Sequence, residues 1–574
     1  MRGPHPMLNR RLYLQTWLVS VVALLVAFLT LQPPAEDLTT DVVTAFNATD
    51  ALAVSDELAT VAPERTPGTP SAVTATDWVR RQFAALPGRR VATQQFVARV
   101  DGATIPMTNV LFTLPSAAAT HSQRNILVVA PRDTPRGVRA GTSSTGILVE
   151  MARTAAKSSY RHPLIFLSAD GSTVGNAGLR WYLHNVDPSL IAAVVVLDAP
   201  GEGGGPLHVW SGGAGRQALA LRQLAEQAVR RAGKEAEGVP SMRRQLLDLA
   251  VPETRGDQRA AIDAGVPAVT LSGRDESRLR RGLPPPSRER LDGAGGAALG
   301  LVALLDAQER ANAPDASLAY AGRILRPSVA RLALLLLALP ILVMALDAAA
   351  RVRRARVRLS AGLRAVAWRF VVPLTVLFIA HVLGMLGVLR PPDVGRPPGA
   401  ADLHAGGQAL LAIVLLAMVG AAMWMVIRPR VVAIGTNPPA EAAGALVWLA
   451  VFTMVAWWLA PFSLVLILPA AHAALAATVV ARRWQVAALA AIAIAPLLAV
   501  VVVTSAAIDR NPLFTVWYLC QTSVTGARGM LGPVLAVLVG VCVVSLGTLV
   551  VFRARKGLVT GRARPRPPRV RATR

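Results

Sequence analysis

Three aspartates stand just past short apolar runs, where a carboxylate can do chemistry at a strand end. They are Asp133 after "NILVVAPR", Asp170 after "PLIFLSA" and Asp198 after "AAVVVL". Carboxylate oxygens hold divalent cations or move protons, and a catalytic zinc adds imidazole or thiolate to them. The stretch from Val128 to Arg153, "VVAPRDTPRGVRAGTSSTGILVEMAR", is laid out as a buried strand, a turn, a Gly-containing loop and a helix. It holds no His, and Asp133 is its only carboxylate before the helix. The two cysteines, Cys520 and Cys542, form no CxxC pair, so neither a disulfide framework nor a thiolate zinc site can be built. His121, His162, His184 and His208 have no ligand spacing and read as surface or helix-packing residues. Ser143, Ser144 and Thr145 lack a G-x-S-x-G elbow and read as N-caps of a helix starting near Gly146. "GEGGGP", from Gly201 to Pro206, follows a strand without a Walker lysine and reads as a flexible loop.

The elements that must position these residues are alternating. Asn109 to Leu114, Asn125 to Ala130, Pro163 to Ala169, Ala192 to Ala199 and Pro267 to Gly273 are short, apolar and β-branched. Helical stretches such as "TGILVEMARTAAKS" and "RQALALRQLAEQAVRRAG" separate them. This pattern predicts an α/β fold with a largely parallel central sheet covered on both faces.

Composition sets the surroundings. Hydrophobic residues make up 53% of the 574, and they cluster. Leu12 to Leu31 is long enough to cross a bilayer, and seven further spans are expected. They run at about Val329 to Leu346, Phe370 to Leu389, Ala409 to Ile427, Ala442 to Leu459, Phe462 to Val480, Trp484 to Ile508 and Leu531 to Phe552. Net charge is +26, carried mostly by Arg. The Arg clusters at 351–358, 428–430, 482–483 and 553–556 fall at alternate connections, which fits the positive-inside rule and not nucleic-acid binding. The expected organisation is a cytoplasmic N-terminus and anchor helix at 1–34, and an extracytoplasmic α/β domain at 35–325. An all-α membrane domain of about seven helices follows at 326–556, then a basic cytoplasmic tail at 557–574. Eight spans place both termini inside, in what is expected to be the plasma membrane. Ala460–Pro461 is the boundary at which an almost continuous apolar stretch must turn back, and Asn511 to Arg528 is amphipathic enough to lie on the outer surface. Acidic residues are scarce within the spans, which counts against a transporter.

The large domain resembles the co-catalytic zinc aminopeptidases (peptidase family M twenty-eight) over most of Ala62 to about Leu305. The resemblance is carried by "APERTPGTPSAVTATDWVRRQFAAL", "TNVLFTL", "DAGVPAVTLSG" and "LDGAGGAALGLVALLDA", in that order. It implies two zinc ions, a bridging carboxylate and a Glu general base. Carried over position by position, the first His ligand is Pro131, and Asp133 is the residue that would orient it. Thr142 falls nearest the bridging Asp, Ala169 at the base and Asp170 at the next ligand. Asp198 keeps its place, while in the following motif Asp257 survives and the adjacent His is Gln258. The final His ligand has no counterpart. The expectation is therefore no catalytic residue, no zinc and no other cofactor, with Asp170 and Asp198 left as carboxylates that could at most hold a hard cation such as Ca²⁺ or Mg²⁺. Strand-end cap and turn residue are the bland readings of Asp198 and Asp170, and Asp133 is expected to pair with Arg132 or Arg136.

An anchor helix, such a domain and then several spans are similar in arrangement to the attachment subunit of the glycosylphosphatidylinositol transamidase. That similarity implies a non-hydrolytic membrane protein whose cleft binds a polypeptide or lipid-linked partner. Two alternatives stay open: a membrane metallo-aminopeptidase with an atypical metal site, for which zinc would be required, and a permease with an extracytoplasmic receptor domain.

Overall fold

The computed structural model describes residues 9–33, 46–87, 90–100, 103–116, 124–139, 141–213, 215–251, 256–274, 283–308, 311–386, 407–434, 438–477, 483–508 and 511–524. His121, the expected span at 531–552 and the basic tail lie outside them.

A seven-stranded sheet is built from β1 (Val91–Val100), β2 (Ala103–Leu114), β3 (Asn125–Pro131), β4 (Leu164–Ala169), β5 (Ile191–Asp198), β6 (His208–Trp210) and β7 (Ala268–Ser272). Their order is β1-β2-β4-β3-β5-β7-β6. The central four, β4, β3, β5 and β7, are parallel. The edges are antiparallel: β1 and β2 form a long hairpin that joins β4, and β6 joins β7. The sheet is thus mixed rather than largely parallel. The antiparallel strands β1 and β6 escaped the sequence reading because Thr93, Gln94, Gln95 and Arg99 break up the apolar residues of β1, "VATQQFVARV", and β6 is only three residues long.

Side chains alternate across the sheet. Ile126, Val128 and Ala130 of β3 enter one core together with Phe112, Phe166, Val195 and Val269. Helices α2 (Ala48–Val61), α3 (Pro70–Ala84), α4 (Thr142–Ala155), α6 (Leu219–Arg231) and α9 (Arg288–Asp306) cover that face. Leu127 and Val129 enter the opposite core, under α5 (Ala177–Asn185) and α8 (Gln258–Asp263). The result is three layers with the parallel strands buried on both faces, which is why these strands read as unbroken apolar runs.

The remaining helices are α1 (Arg10–Leu29), α7 (Met242–Ala250), α10 (Pro327–Arg354), α11 (Leu359–Met385), α12 (Gly407–Ile434), α13 (Pro438–Leu459), α14 (Leu464–Ala477), α15 (Arg483–Ile508) and α16 (Pro512–Val524). Among the described residues, five helical segments are long and apolar enough to cross a membrane: Arg10–Leu29, Pro327–Arg354, Leu359–Met385, Pro439–Leu459 and Ala487–Ala506. Pro461–Ala476 is apolar but shorter. The chain does break at Ala460: Pro461–Ser463 is a 3₁₀ turn, and Ser463 N–H donates to Ala460 O at 2.9 Å. Segment 512–524 is the helix α16, and it packs on α15 and α11.

A short hairpin, β8 (Leu318–Tyr320) and β9 (Arg323–Leu325), leads into α10. Gln32, just past α1, exchanges two backbone hydrogen bonds of 3.0 Å with Ile324 of β9. Leu249, Ala250 and Val251 at the end of α7 share one apolar cluster with Leu334 of α10, Leu449 of α13 and Ile467 of α14, so the sheet domain and the helix bundle are packed together.

Candidate functional site

Open α/β sheets place functional groups at the carboxyl ends of their parallel strands. Here four such ends lie side by side. The register pairs Pro131 of β3 with Ala169 of β4, and Asp198 of β5 with Ser272 of β7. The two positions that the zinc-peptidase resemblance assigns to the first imidazole and the general base are therefore neighbours, and they hold Pro131 and the fully buried Ala169.

Asp170 and Asp198 are both held by arginines. Asp170 is buried, and its Oδ2 lies 3.2 Å from Arg132 Nη2 and accepts from Thr108 N–H at 3.0 Å. Its own N–H donates to Asn109 Oδ1 at 3.1 Å, and Asn109 Nδ2 donates to Gly178 O at 3.0 Å, which ties the end of β4 to β2 and α5. Arg132 is 1% exposed, and its guanidinium also donates to Ser168 O, Ser168 Oγ, Thr76 Oγ1 and Thr108 O. Asp198 takes a forked pair from Arg274, Nη2 to Oδ1 at 2.8 Å and Nε to Oδ2 at 3.2 Å, and Ser272 Oγ adds a third hydrogen bond at 3.0 Å. Burial is the largest single influence on Arg274 and works against its charge, but Asp198 and Glu202 together outweigh it and raise the guanidinium pKa above its ordinary value. Ala199, next in sequence, has φ of 47°, a left-handed conformation that costs a non-glycine residue of order 1–3 kcal/mol. Its N–H is held by Ser144 Oγ at 2.7 Å.

Asp133 pairs with neither Arg132 nor Arg136. It turns away from them and accepts from the N–H groups of Ser172 and Thr173, at 2.9 and 2.8 Å, and from Thr173 Oγ1. Arg132 is taken up by Asp170, which offers it a buried partner. Burial, then the nearby Asp170, pushes the Asp133 carboxyl above the usual carboxylate range, against the pull of these hydrogen bonds. Asp257 opens α8 and is 4% exposed, and the one hydroxyl that pulls its carboxyl back toward the ordinary range is that of Ser172. Burial is the main cause that drives the Asp257 carboxyl up to about 7. Gln258 points into the core, fully buried, where its Oε1 accepts from Thr270 Oγ1 at 2.7 Å.

Thr142 is the buried first residue of α4, so that helix starts four residues before Gly146. Its N-cap is Gly141, with φ of 77° and no side-chain cap. Ser143 to Thr145 are within the helix and do not cap it. The orphan N–H groups are met from outside: Glu202, 1% exposed, accepts from Gly141 N–H at 3.0 Å, Ser143 N–H at 3.2 Å and Ser143 Oγ at 3.1 Å. A carboxylate there also meets the positive end of the helix dipole. The first part of the "GEGGGP" loop is therefore buried and fixed, not free; a Cβ on Gly203 would collide with Gly273 O.

Arg65 closes the floor. It is 1% exposed, donating from Nε to Arg132 O at 2.7 Å and from Nη1 to Ala62 O at 2.9 Å, and burial lowers its pKa to about 10 against the attraction of Glu202 and Asp133. Sequence reasoning missed Arg65, Arg132, Glu202 and Arg274 as site residues. The one available signal was adjacency: Arg132 and Glu202 stand within a few residues of assigned positions, Arg65 falls in the quoted stretch that opens the resemblance, and Arg274 directly follows the Pro267–Gly273 strand. Two of the described histidines are engaged elsewhere. His162 is buried against Asp306 (Nδ1 to Oδ1, 3.2 Å), and His208 meets Glu237 at 2.6 Å.

A co-catalytic zinc pair needs nitrogen donors and a bridging carboxylate. Among the described residues no three His, Cys, Asp or Glu side chains are grouped to hold a metal ion, and each carboxylate at an assigned ligand position already faces a guanidinium. These residues do not fit such a pair.

No family model matches the chain, and no curated protein does. Solved structures similar to it include a glutaminyl cyclase from an Acidobacteriales bacterium, at 18% identity over 47% of this chain and 99% of that one, with a TM-score of 0.37. A zinc-dependent exopeptidase from Parabacteroides distasonis is 16% identical over 46% and 99% of the two chains, with a TM-score of 0.35. An aminopeptidase from Aneurinibacillus is 13% identical over 46% and 95%, with a TM-score of 0.36.

Proposed function

We propose that this chain is a multi-pass membrane pseudopeptidase. Its sheet domain keeps a peptidase-like cleft without hydrolysis and binds a polypeptide or lipid-linked partner as a non-catalytic or assembly subunit. One observation carries the reading: the carboxylates at the two retained ligand positions, Asp170 and Asp198, each have an arginine as counter-ion, Arg132 at 3.2 Å and Arg274 at 2.8 Å. A guanidinium supplies positive charge and directed donors, as a metal ion would for the fold, but it has no exchangeable water to turn into a nucleophile. Installing a divalent cation would require expelling a buried arginine from five polar partners in the case of Arg132. At the general-base position a buried Ala169 offers no proton acceptor, and loss of such a base alone costs a factor of about 10² to 10⁴.

The domain belongs outside the membrane in this reading. Helix α10 has the domain at its Pro327 end and Arg351, Arg353 and Arg354 in its last turn, which the positive-inside rule assigns to the cytoplasm. The test uses the full-length protein in detergent, incubated with zinc, desalted, and assayed for bound metal and for hydrolysis of fluorogenic aminoacyl substrates. The expected result is sub-stoichiometric zinc and no chelator-sensitive turnover. Two zinc ions per chain with hydrolysis abolished by a chelator would overturn the proposal.

A further inference from the structure

A cavity of about 1160 Å³ lies where the sheet domain meets the helix bundle. Its wall on the membrane side is formed by Gln32 after α1, the first turn of α10 from Arg326 to Arg331, and the α13–α14 break from Leu459 to Phe462. Three helix ends thus mark one level, at which the chain leaves the apolar layer. The domain supplies the other wall, from Gly215 to Ala220 and from Asn312 to Ser317.

Positive charge predominates in this cavity. Arg216, Arg326 and Arg331 line it, all three are exposed, and their side chains make no hydrogen bond or ion pair among the described residues. The single carboxylate in the lining, Asp315, is occupied locally, accepting from Ser317 N–H at 2.8 Å. The buried arginines Arg132, Arg222 and Arg274 each have a carboxylate partner, whereas these three guanidinia face the cavity without one among the described residues. Below the rim the surface turns apolar: Leu332, next to Arg331, is 54% exposed, and Trp458, next to Leu459, is 78% exposed.

We propose that this cavity binds the phosphate headgroup of an anionic phospholipid from the leaflet facing the domain. Arginine forks match phosphate oxygens in pairs, and a polar pocket above exposed Leu and Trp side chains fits a headgroup with its acyl chains running down the helices. The volume is ample for a glycerophosphate headgroup. This site is separate from the strand-end cleft. It rests on the membrane reading of the apolar helices and not on the absence of hydrolysis.

The experiment uses full-length protein reconstituted in phosphatidylcholine nanodiscs containing a minor fraction of phosphatidylglycerol, then extracted and examined by native mass spectrometry for retained lipid. Wild type is expected to retain phosphatidylglycerol over phosphatidylcholine. R326A/R331A should lower that preference about ten-fold, R326K/R331K should keep most of it, and R80A, outside the cavity lining, should not change it. R216A alters only an exposed loop residue and should lower it about three-fold; it decides the matter if the double variant does not fold. Unchanged retention in R326A/R331A, or in R216A where that variant decides, overturns the proposal. So does equal competition by soluble glycerol phosphate, which would mark a site for a free phosphate and not for a lipid.

Discussion

At the scale of single residues, the strand-end cluster is an exercise in counter-charge. Asp170 is 5% exposed and depends on Arg132, itself 1% exposed. Breaking a buried pair from one side leaves an uncompensated charge and costs about 3–5 kcal/mol. Arg132→Met is therefore expected to lower the unfolding midpoint of the domain strongly, and the double variant R132M/D170L to recover much of that loss; circular dichroism melts of the detergent-solubilised protein measure both. A double variant as unstable as the sum of its parts would show that the two side chains act independently. Asp257 gives a pH signature. Its folded-state carboxyl titrates at about 7 because it is buried, against 3.8 when exposed in the unfolded chain. Between those values the native state holds the extra proton, so stability is greatest below about pH 4 for this group and declines as pH rises through 7. Asp133 is shifted in the same direction. Asp257→Asn is expected to flatten the slope of melting temperature against pH between 4 and 7; an unchanged slope would remove Asp257 from the account. The positions of Pro131, Ala169, Asp170 and Asp198 were legible in the sequence because strand ends are set by local apolar patterning. Their partners were not. Arg274 lies 76 residues from Asp198 and Thr108 lies 62 from Asp170, separations that only the sheet order resolves.

Elements show where patterning succeeds and where close approach takes over. The five apolar runs became β2, β3, β4, β5 and β7, since a strand buried on both faces is written as consecutive Val, Ile and Leu. The start of α4 was misplaced because no residue near it in sequence caps it; the cap is Glu202, 59 residues from Ser143. Glu202→Ala is expected to cost about 1–2 kcal/mol and to raise amide exchange selectively in the first turn of α4, read by hydrogen exchange with mass spectrometry. Protection unchanged at 141–145 would contradict the capping role. In the bundle, α11 and α13 meet through glycine: a Cβ on Gly444 would lie 2.6–2.8 Å from the backbone of Gly362 and Leu363, and one on Gly362 would strike Ala440 O. Small residues let membrane helices approach where no hydrophobic force distinguishes lipid from protein. Gly444→Val should separate the two helices and reduce the yield of monodisperse protein after extraction, whereas Leu411→Val, on the exposed surface of α12, should not. Apolar composition announced the helices themselves, but such contacts depend on which glycine faces which, and a run that is apolar all round carries no record of its facing.

On the scale of the whole molecule, the domain and the Arg351–Arg354 turn occupy opposite ends of α10, and this fixes a sidedness that labelling can read. With Cys520 and Cys542 replaced by Ser, Ser158→Cys in the domain is expected to react with an impermeant maleimide on intact cells. Ser360→Cys, at the start of α11, should react only after permeabilisation. The reverse pattern would invert the topology. The paired backbone bridge between Gln32 and Ile324 has a further consequence. The chain runs toward the sheet domain and back out of it side by side, with α1 and α10 packed against each other beneath the bridge. Nearly three hundred residues of sequence separate these two points, so the bridge brings the ends of a very long stretch of chain together. The domain's tilt over the bundle is restrained twice, by this backbone clasp and by the seating of the α7 end against α10, α13 and α14, so excising the domain would strip apolar surface from those three helices as well as cut two strands of chain.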